Sequence, residues 1–244
     1  MNDVINISNL KFAWNEQADF EFNIDNFNVV KGERLFLRGP SGSGKTTLLS
    51  LLCGVTSANS GELNLLGKNL TNMTGAERDQ IRADHIGVIF QMFNLIPYLT
   101  TIENVTLACH FSPLRKQRAL QKSATVEAEA IRLLSHLDMG DENLLHKTVS
   151  ELSIGQQQRV AAARALMGSP EIIVADEPTS SLDADRCQSF LNLLFQECKA
   201  AGSTLVFVSH DMRLQQDFDR SVSLKRSMIE SGKDIVTIES QGGL

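Results

Sequence analysis

The part of the sequence with the clearest chemistry is a glycine-rich segment between two apolar runs. It reads Gly39-Pro40-Ser41-Gly42-Ser43-Gly44-Lys45-Thr46-Thr47 and fits the pattern G-x-x-x-x-G-K-[ST]. Glycines let the backbone surround a phosphate chain, a lysine reaches its outer oxygens, and a threonine hydroxyl can coordinate Mg²⁺. This segment therefore predicts a site for a phosphoanhydride chain together with Mg²⁺.

The residues on either side predict the elements that would position this segment. Leu35–Leu37 has the character of a buried strand, and Thr47–Cys53 that of a helix ending at Gly54. A strand that leads into a helix N-terminus presents backbone N–H groups and the helix dipole to a phosphate. The alternative is a glycine-rich turn that binds nothing, and the flanking elements disfavour it.

A second set of candidate residues follows an apolar strand near residue 175. Glu171–Pro178 predicts a buried strand that ends in two carboxylates. Asp176 would hold Mg²⁺, directly or through water, because an ionised carboxylate at such a strand end needs a partner. Glu177 is expected to point to the other side by strand alternation and to orient the water that attacks the terminal phosphate. Two surface acids at a strand end are the alternative.

Two more strands predict polar side chains at their carboxyl ends, where open α/β sheets bind ligands. Gln91 follows Ile86–Phe90 and could bridge Mg²⁺ or the attacking water through its amide oxygen. His210 follows Thr204–Ser209, the last strand that the sequence predicts, and could hydrogen-bond a γ-phosphate oxygen. Taken alone, ordinary loop polarity explains each of them as well.

The segment Leu152–Val160 has two explanations. Ser153 and Gln156 fit a capping box, which predicts a helix over Gln156–Met167. Capping does not explain Gly155, because glycine in a helix costs roughly 0.5–1 kcal/mol relative to alanine unless something approaches the backbone. A bare helix N-terminus is an anion site, so the segment also predicts a second phosphate-binding helix.

The remaining strands are predicted near the chain ends. Val4–Ile7, the alternating Phe20–Asp25 and Leu35–Leu37 suggest a small antiparallel β-layer, and Glu62–Leu66 suggests a hairpin. Trp14, the only tryptophan, lies in a polar loop and could stack on a purine, although a rim or core position is the alternative. From Lys225 the pattern weakens, and residues 241–243 are expected to fray.

Between Met92 and about Val149 the pattern changes from strands to helices. A capping box at Thr100 begins one helix in this range, as another at Thr74 does before it, and apolar spacing predicts a further helix over 124–137. The apolar loop Phe93–Leu99 is interrupted by proline. It is either a docking surface or part of the domain interior.

Composition excludes several classes of protein. The formal net charge of −6 provides no clustered excess of Lys and Arg, so no nucleic-acid partner is expected. No apolar run approaches the ~18 residues needed to cross a bilayer, and the N-terminus does not resemble a signal peptide, so a cytoplasmic protein is expected. The four cysteines form no C-x-x-C pair and are expected to be reduced thiols.

Taken in order, these motifs resemble the ATP-binding subunit of an ABC transporter over nearly the whole chain. The similar segments are Gly39–Thr47 (Walker A), Gln91 (Q-loop), Leu152–Gln156 (signature), Ile172–Glu177 (Walker B with catalytic glutamate), Ser181–Asp183 (D-loop), His210 (switch histidine) and Trp14 (adenine-stacking aromatic). Phe93–Pro97 and Gln156–Val160 are similar to the lipoprotein-releasing, macrolide-export and cell-division branch.

The resemblance implies an α/β P-loop NTPase fold with a mixed central sheet, an N-terminal antiparallel β-layer and an inserted helical subdomain. It implies one ABC ATPase domain over residues 1–244. Residues 1–91 and 164–244 would form the RecA-like core with the β-layer, and 92–163 the helical subdomain that carries the signature motif.

The resemblance also implies ATP and Mg²⁺ as cofactors and a head-to-tail homodimer. Thr46, Gln91 and Asp176 would hold the metal, and Glu177, His210 and Gln91 would act in hydrolysis. Ser153, Gly155, Gln156 and Asp183 of one subunit would complete the ATP site of the other. Dimer closure would drive an integral membrane permease in export, extraction or mechanotransmission, with this chain peripheral on the cytoplasmic face of the inner membrane.

Two other functions are weighed against this one. They are a soluble ABC-type ATPase that acts on nucleic acid or ribosomes, and an ATP-binding regulator that barely hydrolyses. The chain departs from the family pattern at Ile154, where glycine is usual, at Trp14, where tyrosine is commoner, and after Ser223, where a basic-acidic-glycine turn is absent.

Overall fold

The computed structural model describes residues 3–15, 20–180, 182–228 and 234–241. The chain divides into two compact units, Met1–Arg82 with Thr204–Leu244, and Ala83–Ser203. In the described residues the strands are β1 (Asp3–Phe12), β2 (Phe20–Val30), β3 (Arg34–Arg38), β4 (Ser60–Leu65), β5 (Lys68–Asn69), β6 (Ile86–Ile89), β7 (Ile172–Asp176), β8 (Thr204–Val208), β9 (Arg220–Met228) and β10 (Asp234–Gln241). The α-helices there are α1 (Lys45–Leu52), α2 (Gly75–His85), α3 (Thr101–Phe111), α4 (Pro113–Lys122), α5 (Val126–His136), α6 (Glu142–Leu145), α7 (Ile154–Leu166) and α8 (Ala184–Ala201).

In the first unit, β1, β2, β4 and β5 form an antiparallel layer. The sequence predicts β1 and β2 in such a layer, and the β4–β5 hairpin only as a separate element. β1 pairs with β2 on one side and with β4 on the other. β4 turns back into β5 through Leu66 and Gly67, whose φ values of 51° and 77° are positive. Along β2, Phe22 and Ile24 are buried while Asp25 is exposed, so the period of two correctly identified the inward face.

The prediction that β3 belongs to this antiparallel layer is wrong. β3 pairs in parallel with β8 and with β9, so that Leu35 lies opposite Val206 on one side and Arg220 on the other. Both neighbours come from the far end of the chain, and a local pattern carries no information about such partners. The rings of Phe36 and Phe207 each lie 5.2 Å from that of Phe218 and close the core of this part of the unit.

Thr204–Ser209 is not the last strand, because β9 and β10 follow it. β10 pairs antiparallel with β9 and parallel with β2. Lys225 pairs with Glu239 across the two strands at 2.9 Å, and Arg226 pairs with Asp234. These charged cross-strand pairs interrupt the apolar alternation, which is why the sequence pattern weakens from Lys225. Of residues 241–243, which are expected to fray, only Gln241 lies within the described ranges.

The second unit contains a pair of parallel strands and a group of helices. β6 and β7 pair in register from Ile86 opposite Ile172 to Ile89 opposite Ala175. α7 lies against β6 so closely that a Cβ on Gly87 would come within 2.1 Å of the carbonyl oxygen of Ala165. α3, α5 and α7 contact one another. α3 to α6 and most of α7 fall within the range 92–163 for which a helical subdomain is predicted.

The predicted helices form close to their expected bounds. Capping boxes are present before α2, α3 and α7, where Thr74, Thr100 and Ser153 each accept from the backbone N–H three residues on. α7 begins at Ile154, two residues earlier than its predicted start. In α5, Leu133 and Leu134 are buried as expected. Local hydrogen bonding and the 3.6-residue period were sufficient to place these helices.

Candidate nucleotide-binding site

The glycine-rich segment joins β3 to α1, and its glycines are required by geometry. Gly42 and Gly44 have φ values of 75° and 91°, a region that side chains disfavour. A Cβ on Gly44 would lie 2.6 Å from the Phe22 ring, and a Cβ on Gly39 would lie 2.5 Å from the Ser43 hydroxyl. The loop is therefore a tight backbone turn that only glycine allows at these positions.

The N-terminus of α1 faces this loop with its backbone N–H groups uncapped. Gly44 is the N-cap residue and offers no side-chain hydrogen bond, and the first turn carries no acidic residue. Lys45 Nζ donates to the carbonyl oxygens of Gly39 and Pro40 at 2.9 and 3.1 Å, so its ammonium lies over the loop. Uncapped N–H groups, a helix dipole and a cation at one place suit a phosphate chain.

His210 lies at the same edge of the first unit as the glycine loop. Val208 ends β8 opposite Leu37 of β3, and Ser209 N donates to the Leu37 carbonyl at 3.2 Å. His210 follows directly and is exposed. Its neighbour Asp211 accepts hydrogen bonds from Arg213, which lower the pKa of the Asp211 carboxyl. The histidine thus sits beside a carboxylate that stays ionised.

Trp14 is 59 % exposed, which excludes the core position that the sequence left open. It follows the end of β1, and its ring meets the ring of Phe12 edge to face at 5.2 Å. The indole therefore has one aromatic neighbour and still exposes surface for stacking. Residues 16–19, which follow this loop, lie outside the described ranges.

Gln91, Asp176 and Glu177 lie at one edge of the second unit. β6 and β7 run in parallel, so the exposed Gln91, two residues after β6, and Asp176, the last residue of β7, come at the same end. Glu177 does not continue the strand as predicted, because its φ of 45° places it in the left-handed region. Backbone conformation, not strand alternation, therefore sets its direction. A non-glycine residue in this region is strained, and such strain is concentrated at functional sites.

Sequence reasoning missed Gln158, which lies beneath this edge. Its side chain is only 1 % exposed, and Nε2 donates to the carbonyl oxygen of Pro178 at 2.8 Å. Gln158 therefore ties α7 to the turn that follows Glu177. The signal was present in the run of three glutamines 156–158, but nothing in the sequence showed which of them was buried.

The N-terminus of α7 has a capping box and a glycine that no contact within the fold requires. Ser153 Oγ accepts from Gln156 N at 3.3 Å, and Gln156 Oε1 accepts from Ser153 N at 2.9 Å. A Cβ on Gly155 would meet no heavy atom within 4 Å outside its own helix backbone. Ile154, next to it, is 58 % exposed. The capping explanation therefore holds for Ser153 and Gln156 and leaves Gly155 unexplained.

The same helix end shares a cavity of about 260 Å³ with the start of α8. Ser153, Gly155 and Gln156 line it on one side, and Leu182 and Arg186 line it on the other. Asp183 is the N-cap of α8 and accepts from Arg186 N at 2.9 Å. The structure thus brings together Ser153, Gly155, Gln156 and Leu182, which the resemblance assigns to the signature and D-loop motifs, with Ser181 outside the described ranges.

The candidate metal ligands are oxygen donors, as Mg²⁺ requires. Thr46 offers a hydroxyl, Gln91 an amide oxygen and Asp176 a carboxylate. No cluster of three or more His, Cys, Asp or Glu side chains occurs in the described part of the chain. The cysteines are buried thiols, and burial raises the pKa of Cys198 to about 12. Each of these oxygen donors suits a hard cation that shares its coordination with phosphates.

A strand, a glycine loop and a helix N-terminus with its lysine define the class of the P-loop NTPases. Comparison with known proteins narrows this class. The ABC transporter family matches residues 22–180. YbbA of Escherichia coli K12, an uncharacterised ABC transporter ATP-binding protein, is 40% identical over 202 residues, which is 83% of this chain and 85% of YbbA. The chain therefore belongs to the ABC transporter family, as one of its ATP-binding ATPases.

Two further proteins support this assignment. The macrolide export ATP-binding/permease protein MacB of Pasteurella multocida is 38% identical over 82% of this chain and 29% of MacB. The dimeric post-hydrolysis structure of MJ0796, an ATP-binding cassette from Methanocaldococcus jannaschii bound to ADP and Pi, has a TM-score of 0.75 at 30% identity. That likeness covers 98% of this chain and 100% of the other. The predicted fold class and the similarity to the macrolide-export branch are confirmed.

No helix in the part of the chain that the structure describes is long and apolar enough to cross a membrane.

Proposed function

We propose that two copies of this chain bind ATP head to tail, close on it, and transmit that closure to a separate membrane permease. Gly155 is the observation that carries the proposal. Glycine lowers the stability of the helix relative to alanine, and no close contact within the fold requires a residue without a side chain there. A phosphate chain from a second subunit, approaching the backbone N–H groups at Ile154 and Gly155 that the capping box does not use, would account for it.

In each copy, Gly39–Thr47 would hold the phosphates through backbone N–H groups, and Lys45 would place its ammonium on the β and γ oxygens. Trp14 would stack on the adenine, since its indole is exposed at the end of β1. These assignments rest on the geometry of the first unit alone.

For hydrolysis, Thr46, Gln91 and Asp176 would hold Mg²⁺, which when bound offsets charge on the phosphates. Glu177 would accept a hydrogen bond from the attacking water and take up its proton. His210 would donate to a γ-phosphate oxygen, a contact that ends when phosphate leaves. The division of roles follows from chemistry: two carboxylates and an amide supply acceptors, while the lysine and histidine supply donors.

Ser153, Gly155, Gln156 and Asp183 would complete the ATP site of the facing copy. Support comes from the cavity that the start of α7 shares with the start of α8. One nucleotide held in one copy would leave this second phosphate-binding helix without a ligand. The dimeric state of MJ0796 in its ADP and Pi structure is consistent with such an arrangement.

Coupling to a membrane permease would place the chain on the cytoplasmic face of the inner membrane. MacB is by its name both an ATP-binding protein and a permease, and this chain matches only 29% of it. We propose an integral membrane permease subunit as the partner, and export, extraction or mechanotransmission as the work done. The loop after Gln91 would contact the permease, since Met92 and Tyr98 in this loop are 80% and 77% exposed.

Two variants test the ATPase mechanism. With saturating Mg-ATP, Glu177→Gln should run as a stable dimer in light scattering and lose at least about 100-fold in turnover, because the water loses its base. Lys45→Ala should stay monomeric and lose ATP binding in a fluorescent-nucleotide titration. The exposed Glu127→Gln on α5 is the matched control and should behave like the unaltered protein.

Unchanged turnover in Glu177→Gln would overturn the role given to that carboxylate. A monomer under the same conditions would overturn the shared site. A nucleotide-bound dimer with negligible turnover in the unaltered protein would indicate the regulator alternative. Retention on nucleic acid or ribosomes at moderate salt would favour the soluble ATPase.

A further inference from the structure

The chain departs from the family pattern after Ser223, and the structure has a continued strand there in place of a turn. β9 runs on to Met228, and β10 begins at Asp234 and pairs with it in antiparallel register. We name these two paired strands the β9–β10 ribbon. The proposed function does not use this extension of the sheet in the first unit.

The ribbon runs beside the glycine-rich loop. β9 pairs in parallel with β3, whose last residue, Arg38, directly precedes the loop. The next residues of β9 therefore flank the loop itself. A Cβ on Gly39 would lie 3.3 Å from the Cβ of Leu224. Two residues further along the same face of β9, Arg226 Nη1 donates to the carbonyl oxygen of Gly42 at 3.5 Å.

A carboxylate and an aromatic ring orient the Arg226 guanidinium. Its Nε donates to the carboxylate of Asp234 on β10, and the two side chains are 37% and 19% exposed. Its Cζ lies 5.5 Å from the centroid of the Phe20 ring, which is a cation–π contact. Because these two neighbours already fix the side chain, a third contact costs it little further conformational freedom.

The start of β2 belongs to the same cluster and also supports the loop. In the parallel pairing of β10 with β2, Asp234 lies opposite Phe20 and Val236 opposite Phe22. The Phe20 and Phe22 rings meet edge to face at 5.9 Å. Phe22 reaches the loop at Gly44, where a Cβ would lie 2.6 Å from the ring. β2 therefore packs against the loop from the face that carries the guanidinium group.

Gly42 has little packing to hold its own backbone. Its φ is 75°, and a Cβ there would meet no heavy atom of the described residues within 4 Å. Hydrogen bonds hold both sides of the peptide that follows it: the Gly42 carbonyl oxygen accepts from Arg226, and Ser43 N donates to the Pro40 carbonyl at 3.2 Å. In a trans peptide these two groups point in opposite directions, so a fixed carbonyl also fixes the N–H.

We infer that Arg226 is a positioning residue for the phosphate-binding loop: it holds the Gly42 carbonyl on the β9 side and so keeps the loop shaped for a β-phosphate before nucleotide binds. The inference rests on the proposed function, in which Gly39–Thr47 holds the phosphates, and adds a residue of the ribbon to it. Order that exists before binding raises affinity, because the ligand does not have to create it. ATP and ADP share the β-phosphate, so both should gain equally.

Amide hydrogen exchange in the nucleotide-free full chain tests the contact itself. Arg226→Met keeps an unbranched side chain over Phe20 but removes the guanidinium, and exchange of the Ser43 amide should become at least about fivefold faster. Lys225→Met is the matched control. It removes the neighbouring cation and its ion pair with Glu239 at 2.9 Å, but strand alternation points Lys225 to the other face. This control should exchange within about twofold of the unaltered protein.

Nucleotide titration and steady-state kinetics test the consequence. Arg226→Met should weaken ATP and ADP binding by the same factor, at least about fivefold, and raise KM for ATP accordingly. The kcat at saturating ATP should stay within about twofold, because the lost interaction supports the ground state and the transition state alike. Arg226→Leu, a second uncharged replacement, should behave in the same way, so the test stands even if one variant does not fold. Lys225→Met should match the unaltered protein.

Three results would overturn the inference. One is unchanged Ser43 exchange or unchanged nucleotide affinity without the guanidinium. Another is a loss confined to ATP, because it would place Arg226 on the γ-phosphate and not on the loop. The third is an equal loss in Lys225→Met, because the cause would then be the ion pairs of the ribbon in general.

Lys45→Ala separates this inference from the proposed function. If Lys45→Ala still binds ATP, the phosphate-binding role of the loop fails, and the proposed function fails with it. If Lys45→Ala loses ATP while Arg226→Met binds ATP and ADP like the unaltered protein, only the role given to Arg226 fails.

Discussion

Replacing Gly155 by alanine should make the protein more stable and less active. The added methyl group meets no heavy atom within 4 Å outside its own helix backbone, so the fold accepts it. Alanine in place of glycine stabilises a helix by roughly 0.5–1 kcal/mol, and the lower value is appropriate in the first turn. For a chain of this size that corresponds to a rise in Tm of about 1–2 °C.

The loss of activity has a different origin. A phosphate from the facing subunit would approach the backbone N–H groups at this helix end, and a methyl group there would hold it away. Losing one charge-assisted hydrogen bond costs about 1.5–3 kcal/mol, which is roughly a 10- to 100-fold fall in turnover. Ser153 is a poorer probe, because its hydroxyl also caps α7 and its removal would destabilise the helix itself.

Two measurements separate these effects. Urea unfolding of the nucleotide-free protein reports stability, and phosphate release with light scattering reports turnover and dimer formation. Gly75→Ala is the matched control, because Gly75 also lies in the first turn of a helix and its Cβ would come no closer than 4.0 Å to Arg78. It should gain similar stability and keep full activity. A Gly155→Ala protein that is less stable, or that is fully active, would refute the reasoning.

Three further predictions concern other sites. Burial opposes ionisation of Glu171, but hydrogen bonds from His85 and Arg118 outweigh it and lower the pKa to about 2; a pKa this far below 4.5 corresponds to at most about 3 kcal/mol. That stability is present above pH 4.5 and lost as pH falls toward 2, so Glu171→Gln should be less stable at pH 7 in urea unfolding, by a margin that narrows in acid. Ile154→Gly should raise ATP-dependent dimer formation in light scattering, since it clears the open end of α7, while lowering stability by about 1 kcal/mol; unchanged dimerisation would contradict it. Gly44→Ala should lower both stability and ATP affinity, because its Cβ would lie 2.6 Å from the Phe22 ring. An ATP affinity equal to that of the unaltered protein, measured by titration calorimetry, would contradict this prediction.

Features that depend on neighbours in the sequence were predictable. The capping boxes at Thr100 and Ser153 join residues three apart, and both form as the sequence predicts. The glycine loop at Gly39–Thr47 and the alternation along β2 belong to the same class, because turn geometry and strand period are local properties. The residues of the candidate site could be found in this way.

Features that depend on distant partners were not predictable. β10 is recognisable only through its pairing with β2 and β9, and its charges Asp234 and Glu239 are explained by Arg226 and Lys225 of β9. The left-handed backbone of Glu177 has no sequence signature, since glutamate ordinarily avoids that region. Arg115 and Arg118 are three residues apart on α4, but only burial and the position of Glu171 show that one is paired with a carboxylate and the other is not.

α7 connects the parts of the second unit that the proposed function requires. Its N-terminus carries Gly155, its buried Gln158 holds the turn after Glu177 through Pro178, and Arg164 near its C-terminus holds the loop after Gln91. The helix has 13 residues and spans roughly 20 Å. Because a helix of this length is stiff, we expect a displacement of Arg164 to be felt at the turn after Glu177 and at the Gly155 end as well. The sequence places these motifs far apart along the chain, and a single helix gives them a shared mechanical response.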